Sequence, residues 1–191
     1  QLEELSKKIN AAWADIFANL ARTRRDDDTL LRAHWLVTQN SNERSWNGAT
    51  SLKGKFPRSR YVHNSERLTG PETNANTELD AIDTSLFDEV STYVESLRMA
   101  AVYMRDIYVE SPELSSIADP KMRAQIRSRT AALRRSGKVA HFLPILLATR
   151  LRHDDEPDKY LAALDLAEQY SMDEAAACLR DELGGKRAAD L

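Results

Sequence analysis

One cysteine, six glycines and six prolines are spread over 191 residues, and each scarcity narrows what the chain can be. A lone thiol, Cys178, admits no internal disulfide framework and suits a reducing, cytoplasmic setting. So few glycines and prolines, with little clustering of β-branched residues, leave few strand and turn signals. Long apolar runs are missing too. The longest, Val139 to Leu151, is broken by His141, Pro144, Thr149 and Arg150, which is too short and too polar to cross a bilayer, so no membrane partner is expected. No basic segment followed by an apolar one opens the chain, so no secretory signal is visible. What remains, 42% hydrophobic and 30% charged, is the composition of a globular domain. The first residue, Gln1, already falls in a helical pattern, which suggests a segment of a larger protein.

Periodicity fills most of the chain with helices and predicts an all-α fold, an irregular bundle of six to seven helices in a single domain over 1–183. Leu2, Leu5, Ile9, Ala12, Trp13, Ile16, Phe17 and Leu20 form one amphipathic stripe over 2–22. Asp26-Asp27-Asp28 then precedes Leu30, Leu31, Trp35, Leu36 and Val37, a short buried helix with Asp28 or Thr29 as its N-cap. Residues 39–78 show no period and read as a long polar loop, with one helical turn near Ser51 to Phe56. A long helix runs from Leu79 to Tyr108 and ends before Pro112, with Ser85 and Asp88 as a capping box if it starts late. Asp119-Pro120 opens a helix to about Ser136 that stops at Gly137. A core helix containing Pro144 ends near Arg152. Two more follow: one from Asp155-Glu156-Pro157 to Tyr170, and one opened by a Ser171 to Glu174 capping box and closed at Gly184-Gly185. Residues 184–191 read as a flexible tail.

Charge is segregated along the chain although the net is only −3. Eleven carboxylates between Glu72 and Asp119 face only Arg98 and Arg105, a net of −9, whereas nine cations and no acid lie between Lys121 and Arg152. Arg123, Arg127, Arg134 and Lys138 fall on one stripe of a helical wheel, which suits an anionic backbone such as DNA. A solvated face, or pairing with the preceding acidic helix, explains the stripe equally. Between residues 43 and 67, Arg44, Lys53, Lys55, Arg58, Arg60 and Arg67 are interleaved with Trp46, Phe56, Tyr61 and His63. Such aromatics could stack on bases or dock the loop on a neighbouring domain.

Motifs that carry chemistry are absent. There is no glycine-rich phosphate loop, no GxSxG elbow and no paired-histidine nuclease signature. His153-Asp154-Asp155-Glu156, with His141 nearby, resembles a ligand cluster. Adjacent residues rarely all reach one ion, however, and no second histidine stands one helical turn away, so no metal site is assigned.

Several segments in order resemble the helical region of GmrSD-type proteins, the modification-dependent restriction and anti-phage endonucleases of bacteria. They are Asn10 to Leu20, Leu30-Leu31-Arg32-Ala33-His34-Trp35-Leu36, Trp46-Asn47-Gly48, Ser51 to Phe56, Tyr93-Val94-Glu95-Ser96-Leu97 and Phe142 to Leu151. The resemblance implies a helical linker or regulatory domain of a nucleotide-dependent DNA endonuclease. The ParB-like and histidine-asparagine-histidine catalytic motifs of that family are not in this chain. It therefore implies no catalytic residue and no cofactor here. The implied partners are the flanking catalytic domains and DNA, contacted through Arg123, Arg127, Arg134, Lys138, Lys53 and Lys55, with a homo-oligomer as a further expectation. The alternative is an interaction or oligomerisation scaffold with no nucleic-acid role.

Overall fold

The computed structural model describes residues 2–39, 45–56 and 84–189, and among these it contains seven helices and no strand. They are α1 (Leu2–Leu20), α2 (Asp27–Thr38), α3 (Ala49–Lys55), α4 (Thr84–Tyr108), α5 (Pro120–Arg135), α6 (Val139–Arg152) and α7 (Pro157–Ala189). The all-α expectation holds. The expected start of α4 at Leu79, and most of the long loop, lie outside the described residues.

Two helix starts show how local chemistry sets the frame. The N-cap of α2 is Asp26, not Asp28 or Thr29: its carboxylate accepts from the Thr29 backbone N–H, and the Thr29 hydroxyl donates to the same oxygen. All three aspartates fit the negative charge that a helix start favours, so sequence alone does not rank them. At α5 the expectation holds in detail. Asp119 caps Lys121, Pro120 occupies the first turn, and Gly137 follows the helix at φ +72°, a left-handed turn that suits glycine.

The largest departure lies at the C-terminal end. The two helices expected there are one, α7, continuous through Ser171 and Gly184-Gly185. Ser171 does not cap anything; its hydroxyl donates to the Ala167 carbonyl one turn back, and the residue is buried. A serine followed three residues later by glutamate marks a helix start only when the chain before it is not already helical. The side chain of Cys178 lies outside the described residues.

Packing is organised around α4 and α6. α1 lies along α4, α5 lies along α7, and α6 touches α2, α4 and α7. Leu97, Met104 and Ile107 of α4, Leu146 and Leu147 of α6, Ile16, Leu30, Ile126, Leu133 and Leu164 form one core cluster. Each such aliphatic side chain contributes about 1.5–3 kcal/mol on full burial. Pro144 sits inside α6, which is buried on Val139, Leu143, Leu146, Leu147 and Arg150, as expected for a core helix.

Candidate interaction surfaces

The basic stripe of α5 is largely occupied. Arg127 donates through Nε to the Pro112 carbonyl at 3.0 Å and through Nη2 to that of Glu113 at 3.4 Å. Arg134 donates to the carbonyls of Ile107 (3.0 Å) and Glu110 (3.4 Å). These oxygens belong to the last turn of α4 and the turn beyond it, where a helix leaves carbonyls without internal donors. Two arginines of one helix thus close the end of another. The segment they hold includes Leu114, which is fully buried although its φ of +51° is a left-handed conformation. Lys138 pairs with Glu174 at 2.6 Å, and Arg129 pairs with Asp165 (2.7 Å) and Glu168 (3.0 Å). The carboxylates that α5 and its C-terminal turn engage therefore belong to α7, not to the acidic helix that precedes them. Of the six cations expected at DNA, Arg123 and Lys53 alone make no hydrogen bond, ion pair or ring contact among the described residues.

The aromatics around α3 dock on this same domain. Trp46 packs against Trp35, with ring centroids 5.7 Å apart, and donates its indole N–H to Asp28 at 3.0 Å. Phe56 meets the edge of Tyr93, and Lys55 lies over both rings while donating to the Gln39 side chain. Beneath them is His34, with Nε2 2.9 Å from the Ser96 hydroxyl. Burial, and then the charge of Lys55, depress the His34 pKa to about 4, so the imidazole is neutral near pH 7. Burial also pushes the Tyr93 phenol up to about 12.

A serine and a neutral histidine at this distance have the spacing of a nucleophile and its base. The surroundings do not extend it to a triad. His34 Nδ1 has no hydrogen-bond partner among the described residues, so no third group extends the pair through that nitrogen. Ser96 stands in the middle of α4, where backbone N–H groups are spent inside the helix and leave no oxyanion donors. The pair reads as an internal hydrogen bond between α2 and α4.

A second polar cluster was missed by sequence reasoning. Arg150, 2% exposed, places its guanidinium 4.4 Å from the Tyr103 ring centroid and 5.2 Å from that of Tyr160. Its Nη2 donates to Ser116 at 2.8 Å and lies 3.5 Å from Asp154. Nearby, Asp106 is buried beside Arg105 at 2.8 Å; burial raises its pKa and outweighs the arginine's opposing pull. Burial, followed by Asp154, pushes the Tyr103 phenol up. Arg150 Nη1 alone finds no hydrogen-bond partner among the described residues; the other contacts join α4, α6 and α7, which is the pattern of a core rivet. The only sequence signal was an arginine in the apolar run of α6. The suspected ligand cluster is spent as well: His153 Nδ1 lies 2.9 Å from Glu156, and Lys159 bonds both. No group of three metal-ligating side chains occurs among the described residues.

An apolar surface is also left exposed. A groove of about 510 Å³ runs between α6 and α7, walled by Ile145, Leu166 and Tyr170 over Ala163 and Ala167. Ile145, Leu166 and Tyr170 are 61%, 68% and 62% exposed, whereas Ala167 is buried. No helix among the described residues is long and apolar enough to cross a membrane. Comparison with protein-family models, curated proteins and solved structures finds no match for the chain.

Proposed function

We propose that this chain is a non-catalytic helical interaction domain that docks a protein partner through the α6/α7 face. That role suits the helical middle region of a GmrSD-type anti-phage endonuclease, the resemblance carried by its sequence. The observation behind this reading is the contrast between two kinds of surface. The chemically suggestive side chains, His34, Ser96, Arg150, Arg127 and Arg134, are used for packing, whereas a concave apolar face is left open to solvent. A second reading, contact with DNA, is favoured by Arg123 and Lys53, which keep no partner among the described residues.

One experiment addresses both. A photo-reactive benzoyl-phenylalanine is placed at Ile145 or Leu166, and in parallel at Lys53 or Arg123, in the cell that makes the protein. The interaction reading expects a discrete protein adduct from the first pair. The DNA reading expects nucleic-acid adducts from the second, and salt-sensitive binding lost on Arg123→Glu with Lys53→Glu. Absence of any protein adduct at Ile145 and Leu166 would sink the first proposal.

A further inference from the structure

Resting on the interaction reading above, we infer that the α6/α7 groove takes one amphipathic helix of a partner protein. That helix presents apolar side chains at i, i+3, i+4 and i+7, and places a lysine or arginine against Asp173.

Shape is the first argument. Ile145, Leu166 and Tyr170 stand as walls over the small side chains of Ala163 and Ala167, so the face is a trough rather than a flat patch. An α-helix with its side chains is about 10 Å across, and a row of its apolar residues seats in such a trough.

Area gives the same answer. At these exposures Ile145, Leu166 and Tyr170 leave on the order of 350 Å² of apolar surface, taking roughly 150–200 Å² for a full side chain of this size. A standard interface needs about 800 Å² from each partner. The groove is too small to hold a second copy by itself.

Charge sets the polarity of the occupant. Among the described residues Asp173 is the one charged residue lining the groove, and it has no ion pair or hydrogen bond there. Its neighbour Glu174 is held by Lys138. A cation on the incoming helix would complete Asp173 at the edge of the apolar contact, where a charge sets orientation and specificity more than affinity.

The test uses the whole chain, isotopically labelled at isoleucine and leucine methyls, and three synthetic four-turn helical peptides. The first has leucines at i, i+3, i+4 and i+7 with an arginine in each terminal turn; the second is its scrambled isomer; the third has glutamates in place of the arginines. The expected result is shifts centred on Ile145 and Leu166 with the first peptide only. Binding should weaken about tenfold in Leu166→Glu, and Asp173→Lys should reverse the preference between the arginine and glutamate peptides. Both positions are exposed, and an unchanged melting curve verifies that the variants fold. Equal binding of the scrambled peptide, no shifts at millimolar peptide, or self-association abolished by Leu166→Glu would each overturn the helix. A protein photo-adduct at Ile145 with no peptide binding removes this occupant and leaves the interaction reading standing; loss of both removes both.

Discussion

His34 and Asp106 give the fold two opposed responses to acid. Unfolded, a histidine takes its proton near pH 6.5, whereas folded His34 stays neutral down to about 4, so acid favours the unfolded chain. Its stabilising contribution is complete above pH 6.5 and is lost as pH falls toward 4, by up to roughly 3 kcal/mol. Asp106 works the other way: its raised pKa lets the folded form bind a proton first, so its penalty eases as pH falls toward the ordinary carboxylate value. Urea unfolding at pH 7 and pH 5 should show lower stability at pH 5, and His34→Gln should flatten that slope; an unchanged slope would count against a neutral, buried imidazole. Arg150 is the other residue whose loss is expensive. Arg150→Ala removes two ring contacts and the Ser116 bond from a closed site, and should lower stability by about 3–5 kcal/mol by chemical denaturation.

Among the elements, the end of α4 depends on α5. Arg134→Ala should strip donors from the Ile107 and Glu110 carbonyls and cost about 1.5–3 kcal/mol, measured as a fall in melting temperature. Asp119→Ala, which removes only the α5 cap, should cost about 1 kcal/mol. The comparison separates inter-helix closure from local capping. It also marks where the sequence could be read. The stripes of α1 and α4, the Asp119-Pro120 start and the buried character of α6 all follow from periodicity and caps that act within a few residues. The continuity of α7 and the choice of Asp26 did not, because Ser171 and three adjacent aspartates each satisfy a local rule in more than one way. The two arginines were visible as a stripe, yet their acceptors lie 14 to 27 residues away along the chain, a separation helical spacing does not encode. The groove was hidden for the same reason: its walls come from two helices whose relative placement is a matter of packing.

For the whole molecule, the segregation of charge is less a stabiliser than an organiser. Arg129 with Asp165 and Glu168 is about half exposed, and a double-mutant cycle on Arg129 and Asp165 should return no more than about 1 kcal/mol, shrinking further in high salt. The Arg127 and Arg134 contacts act differently. The Ile107 carbonyl in the last turn of α4, and those of Glu110, Pro112 and Glu113 just beyond it, receive their arginine donors only after α5 has formed and docked, so the turn is completed from another helix. Opening should therefore be shared: in native-state hydrogen exchange, amides at the C-terminal end of α4 and along α5 are expected to report one common opening free energy, which Arg134→Ala splits into two.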